Sequence, residues 1–254
     1  MPPNSALTRF LKQGLRRQVC PLCRVAYKMD GEYMWAFFDD YSSDDGTLDR
    51  LREARGFCAE HAERLRRLEV DGLRSNLGIS NVYLDTLQGL EERLDSLGPE
   101  EDLGEAGPCP ACAYRDGEVE KNARYLLEEI EANGASRDLL MESNGLCFPH
   151  CAMVWDRANA RERELLLELQ RRVVSETVDE LSENIRKQGH EYDGDPAEHE
   201  AESWRRAIYL TAGWEKEALR DEPPEHPYEV PEYARIATNK GPKRRSKAKR
   251  TKRQ

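Results

Sequence analysis

Cys20-Pro21-Leu22-Cys23 and Gly56-Phe57-Cys58-Ala59-Glu60-His61 return later in the chain as Cys109-Pro110-Ala111-Cys112 and Gly145-Leu146-Cys147-Phe148-Pro149-His150. In each copy 34 residues separate the second cysteine from the third, and equivalent ligands are shifted by 89 positions. Each copy reads CxxC, a long spacer, then CxxH, which supplies three thiolates and one imidazole. Ligands three positions apart lie close on a helical turn, so each pair is a two-toothed clamp. Two clamps with soft and borderline donors suit a tetrahedral zinc ion with no open position, a structural rather than catalytic site.

The duplication extends beyond the ligands. Thr47, Asp49, Leu51, Glu53 and Gly56 match Ser136, Asp138, Leu140, Glu142 and Gly145 at the same offset. Thr47 is the expected N-cap of a short helix running to Ala54, and Ser136 takes its place in the second copy. Gly56 fits the left-handed position just past a helix end. The breaks before these helices fall at Ser42-Ser43-Asp44-Asp45-Gly46 and at Asn133-Gly134. Ahead of the breaks, Met29, Tyr33, Trp35, Phe37 and Phe38 predict one buried helix face, and Tyr125, Leu126, Leu127 and Ile130 its counterpart.

The remaining chain also reads as helix. Leu7, Phe10, Leu11 and Leu15 mark a lead-in. Leu77, Leu84, Leu87, Leu90, Leu94 and Leu97 mark a long helix ended by Gly98-Pro99. Leu167, Val174, Val178, Leu181 and Ile185 mark another, from about 161 to 187. Both stripes are expected to pack as bundle core, a dimer seam being the alternative. A last helix, about 197–219, carries Trp204, Ala207, Ile208, Thr211 and Ala212 on one stripe, after a polar linker at 189–196.

The predicted architecture is therefore all-α. Two duplicated, zinc-clamped helical hairpin modules, residues 1–98 and 99–190, form one pseudo-symmetric bundle. A C-terminal helix (191–220) follows, then a Pro-rich segment with a basic tail (221–254) expected to be disordered. Equal spacers favour clamps paired within each copy, because each half then closes a short loop; the crossed pairing is the alternative. Cys151 reads as a small buried residue matching Ala62, with a replacement ligand as the alternative. His190, His199 and His226 lack ligand spacing.

Composition agrees with helices and limits the function classes. Of 254 residues, 35% are charged and only 7% aromatic, a balance that favours amphipathic helices over a β-sandwich. No apolar run nears membrane-spanning length, and the first 14 residues carry no signal core, so a cytoplasmic address is expected. Six of seven cysteines lie in the motifs, which in that compartment points to metal or redox use rather than disulfides. Residues 240–254 hold nine of the 39 basic residues and no acid. Residues 1–239 thus carry 30 basic against 49 acidic residues, a body near −19 beside a tail near +9. Such a tail can touch nucleic acid nonspecifically through phosphates, but it has no aromatic side chains for base stacking.

No phosphate-cradling loop, GxSxG or HExxH is present, and no pair of acids stands out as acid and base. The sequence therefore offers no catalytic site. The metal candidates are Cys20, Cys23, Cys58, His61, Cys109, Cys112, Cys147 and His150, holding two Zn2+ per chain; an iron–sulfur cluster is the less usual occupant. The favoured role is a scaffold for an unidentified protein partner. One alternative is a thiol-based sensor or oxidoreductase using the CPxC pairs, and another is a nucleic-acid-associated factor acting through 240–254.

With these residues in hand, the chain resembles a bacterial and archaeal family described only as a domain of unknown function. The resemblance rests on the two Cys-Pro-x-Cys and two Gly-x-Cys-x-x-His motifs and on Trp204-Arg205-Arg206-Ala207. It spans roughly residues 15–215 and omits the basic tail. It implies metal binding and brings no activity or partner.

Overall fold

The computed structural model describes residues 5–16, 19–39, 44–131, 135–188 and 197–213, which are mostly helical and contain no strand. The expected breaks at Ser42-Ser43 and Asn133-Gly134, the linker, the Pro-rich segment and the basic tail lie outside the described residues.

Two long helices form the spine, α2 (Pro21–Asp39) and α6 (Pro110–Glu131). Each begins one residue after a motif cysteine, with proline first, where its missing N–H costs nothing. They pack antiparallel: Tyr33 meets Tyr114 with ring centroids 5.3 Å apart, and Asp30 faces Arg115. α1 (Ser5–Arg16) lies along α2, burying Leu11 and Leu15. The aromatic face of α2 is buried as its spacing predicts, through Met29, Tyr33, Trp35 and Phe37.

The antiparallel spine divides the interior into two cores, each built from both sequence copies. One gathers Leu11, Leu15, Leu22 and Val25 of the first copy with Leu126, Leu146, Leu169 and Val173 of the second. The other gathers Phe37, Leu51, Phe57, Leu65 and Val82 of the first copy with Ala111 of the second. Burying each large aliphatic side chain contributes roughly 1.5–3 kcal/mol.

The short helices before the CxxH motifs are α3 (Asp45–Glu53) and α7 (Ala135–Met141). Asp44, not Thr47, caps α3: its carboxylate accepts from the Thr47 amide and hydroxyl, both at 2.8 Å. Thr47 is instead buried in the first turn, since Asp44 stands three residues before it, where a cap acceptor reaches that amide. Ser136 likewise falls inside α7. After α3, Arg55 and Gly56 take positive φ (57° and 99°), and the Gly56 amide donates to the Leu51 carbonyl at 2.8 Å. This helix-ending turn reverses the chain toward Cys58.

α4 (Ala59–Arg66) follows Cys58 and runs into a π-helical segment, Arg67–Leu73. The buried Glu69 from that segment accepts from the Gly78 and Ile79 amides, at 2.7 Å each, and so caps α5 (Leu77–Ser96) from a distance. In the second copy α8 (Phe148–Trp155) leads to α9 (Ala160–Lys187), which opens on an Asn159–Glu162 capping box. The end of the described chain forms α10 (Glu198–Ala201) and α11 (Ser203–Ala212), a helix interrupted at Glu202 rather than one continuous rod.

The buried faces of the later helices differ from those expected. On α9 the inward residues are Leu166, Leu169, Gln170, Val173 and Thr177, while Val178 and Ile185 are 52% and 71% exposed. On α5 they are Val82 and Thr86, while Leu84, Leu87 and Leu94 are exposed. Of the expected stripe on α9, Val174 packs against the edge of the core, while Val178 and Ile185 lie outside it. α11 likewise turns Ser203, Tyr209 and Leu210 inward and leaves Trp204 and Ile208 exposed. The true faces include polar residues that apolar spacing overlooks. Thr86 and Thr177 satisfy their hydroxyls on the Val82 and Val173 carbonyls one turn back, which lets them face the core.

Candidate metal centres

All four clamps sit at helix starts. Cys58 and Cys147 are the residues preceding α4 and α8, and His61 and His150 are the third residues within them. Cys20 and Cys109 stand in the same relation to α2 and α6, with Cys23 and Cys112 inside. The free amides and positive dipole end of a helix start favour thiolate there.

The clamps pair across the copies, not within them. The outer tetrad joins Cys20 and Cys23 to Cys147 and His150; the inner tetrad joins Cys109 and Cys112 to Cys58 and His61. In each set the four ligand atoms lie within 4.8 Å of one another. All eight expected residues are therefore brought together, in the crossed arrangement. The expectation of two separately clamped modules, 1–98 and 99–190, is corrected with it, because both tetrads span the 98/99 boundary.

The physical reason is a comparison of magnitudes. The outer tetrad connects positions 124 apart, against 35 for pairing within a copy. Closing the longer loop costs only about 1 kcal/mol more, because the penalty grows with the logarithm of length. A single fully buried leucine offsets that, and the crossed arrangement lets α2 and α6 lie side by side with shared cores. Packing decides the pairing.

The outer tetrad is the more deeply set, with its three cysteines buried. His150 Nδ1 lies 3.2 Å from Cys147 Sγ, 3.3 Å from Cys23 Sγ and 3.5 Å from Cys20 Sγ, and Cys23 and Cys147 are 3.6 Å apart. In the inner tetrad His61 Nδ1 lies 3.2, 3.3 and 3.6 Å from Cys58, Cys112 and Cys109, and Cys58 and Cys112 are 3.8 Å apart. Here the cysteines are partly exposed and the histidine is buried.

Within each tetrad the charges are unevenly shared. Burial pushes the Cys20 thiol well up, as do its hydrogen bonds with Cys147 and Cys23. Hydrogen bonds from Cys20, Cys23 and His150 hold Cys147 far below the ordinary thiol range, against its burial. In the inner set, burial opposes ionisation of Cys109, yet hydrogen bonds from His61 and from backbone amides including those of Cys112 and Ala111 bring it down to about 6. Cys112 is pushed up to about 12 by burial and by Cys109 beside it. Burial would lower both histidines, but their hydrogen-bond partners raise them to about 10: Asp30 and Cys109 for His61, Cys147 and Cys23 for His150. Three adjacent thiolates repel one another, and a divalent cation at the centre would relieve that repulsion.

Several supporting residues escaped the sequence reading. The Gln170 side chain accepts from the Leu146 amide and donates to the Leu146 carbonyl, at 3.0 and 2.9 Å, pinning the residue before Cys147. Gly145 (φ 69°) leaves room for this contact, since a Cβ there would lie 2.4 Å from Gln170 Oε1. Asp30 lies 3.1 Å from His61 Nε2. An acid inside an aromatic run was the one available signal for Asp30. Cys151 is not part of either tetrad; it packs at the edge of the core around the outer one.

Fold and site together define a helical protein with two interlocked Cys3His tetrads able to hold metal ions. No protein-family model, curated protein or solved structure matches this chain.

Proposed function

We propose that the two tetrads bind one Zn2+ each, as structural ions that lock the crossed halves into a rigid scaffold for another macromolecule. Edge lengths carry the proposal. A tetrahedral zinc with Zn–S about 2.3 Å and Zn–N about 2.0 Å sets its sulfurs about 3.8 Å apart and sulfur from nitrogen about 3.5 Å apart. The distances here, 3.6–3.8 Å and 3.2–3.6 Å, fit within a few tenths of an ångström. Cys20, Cys23, Cys147 and His150 would hold the outer ion, and Cys58, His61, Cys109 and Cys112 the inner one. All four ligand positions would be protein atoms, so the ion's contribution is cross-linking, on the order of 10 kcal/mol of folding free energy per site. The resemblance to the family with duplicated Cys-Pro-x-Cys motifs supports metal binding and no particular activity.

The partner is proposed to be a protein. Contact with nucleic acid through residues 240–254 is the lesser role, because the acidic body opposes it. The use of six of seven cysteines in ligand pairs supports a reducing, cytoplasmic setting; no helix among the described residues is long and apolar enough to cross a membrane.

Metal analysis of full-length protein purified without added zinc tests the proposal. Two zinc ions per chain, retained in mild peroxide, are expected. Protein folded without bound metal overturns it. Metal lost on oxidation with disulfides formed in its place favours the thiol-sensor alternative.

A further inference from the structure

Asp30 stands apart from the rest of the α2 face. It is 4% exposed, and its carboxylate meets three groups from two other helices, α4 and α6. Oδ1 lies 3.1 Å from His61 Nε2, and Oδ2 accepts from Arg64 at 3.1 Å, one turn further along α4. Arg115 of α6 approaches Oδ1 at 3.9 Å. The two guanidiniums flanking this buried carboxylate fix its orientation.

The imidazole geometry gives this contact a direction. His61 Nδ1 faces the three inner sulfurs, so Nε2 is the atom left to carry the proton, and Asp30 is its acceptor. The outer site lacks such a partner. The residue equivalent to Asp30 at the 89-residue offset is Val119, and among the described residues no carboxylate reaches His150 Nε2.

We infer that Asp30 is a positioning residue for the inner metal site, fixing the tautomer and ring plane of His61 so that Nδ1 points its lone pair at the ion. This rests on the reading that the tetrads hold zinc. Carboxylates of this kind on a ligating histidine raise its donor strength, and their loss typically weakens metal binding 10- to 100-fold. The two sites are therefore unequal by construction, one histidine held by a carboxylate side chain and the other by its surroundings alone.

The test is competition for zinc by a chromophoric chelator, on the full chain. Cys147→Ser, which removes the outer ion, identifies which phase belongs to the inner one. Asp30→Val, which copies the condition at Val119, and Asp30→Ala are each expected to weaken the inner ion at least tenfold and leave the outer ion within twofold. Asp30→Asn, which keeps an acceptor oxygen, is expected to recover part of that loss. Repeating Asp30→Ala in a His61→Cys background separates positioning from general damage. A thiolate needs no tautomer, so the tenfold effect should vanish there. An equal effect in both backgrounds, or inner-site affinity within twofold in Asp30→Ala, overturns the inference. A wild-type chain that binds no zinc overturns the zinc reading; two zinc ions with Asp30 variants unchanged overturn only the role of Asp30.

Discussion

Crossed and within-copy pairing use the same eight ligands, yet double substitutions separate them. Cys20→Ser with Cys147→Ser removes two ligands of one crossed tetrad and leaves the other whole; Cys20→Ser with Cys58→Ser damages both. Zinc content should fall to one per chain in the first double variant and toward zero in the second. Pairing within copies reverses the two results. The stability changes can be scaled from the loops. The outer tetrad ties positions 124 apart and the inner one positions 48 apart. Treated as cross-links, they restrict the unfolded chain by about 5 and about 4 kcal/mol. Losing the outer ion alone should therefore lower the unfolding free energy by at least about 5 kcal/mol, the chain-entropy part of the roughly 10 kcal/mol the ion contributes. The helices of both copies should loosen together, because the core around that tetrad draws on both. Inductively coupled plasma analysis gives the stoichiometry, and denaturant titration followed by circular dichroism gives the stability. One zinc in Cys20→Ser/Cys58→Ser, with none in Cys20→Ser/Cys147→Ser, would refute the crossing.

Gly145→Ala forces a side chain into positive φ and toward Gln170; a loss of at least about 1–2 kcal/mol is expected in a thermal melt. Leu87→Gln and Ile185→Gln alter exposed residues at 58% and 71% accessibility, so each should change stability by less than about 0.5 kcal/mol. A loss of about 2 kcal/mol or more in the denaturation midpoint analysis would return these stripes to a packed interface. Zinc uptake should release protons. At pH 7 the inner site holds one on His61, with a pKa near 10, and one on Cys112, near 12, whereas Cys109, near 6, has already lost its own. A ligand must shed its proton to bind metal, so at least two protons should leave per inner ion, and affinity should fall as pH falls. Calorimetry in buffers of different ionisation enthalpy counts them; zero protons would contradict the assigned ligands.

The helical class, the ligand set and the turn glycines were legible because each depends on local rules. Proline after the first cysteine starts a helix, and Gly56 and Gly145 fall where positive φ is needed. The α2 face was legible because its buried residues are nearly all large and apolar. The faces of α5 and α9 were not, because each helix carries more than one apolar row. Those rows include the outward Leu84, Leu87 and Leu94 and the outward Val178 and Ile185, and the inward ones are interrupted by Thr86, Gln170 and Thr177. Periodicity counts apolar atoms and cannot weigh a hydrogen bond made across the core. Asp30 is the same kind of case, a carboxyl group whose burial makes sense only with His61, Arg64 and Arg115 around it.

By itself the sequence determined which eight side chains carry sulfur or imidazole, that they come as four clamps at helix starts, and that the halves repeat. Which clamps share a tetrahedron was left open, because exchanging partners between identical motifs changes no composition and alters loop entropy by only about 1 kcal/mol. Tertiary structure decided it through the antiparallel contact of α2 and α6. Each helix start thereby lies beside the other copy's CxxH, and the area buried along that spine outweighs the small preference for the shorter loop.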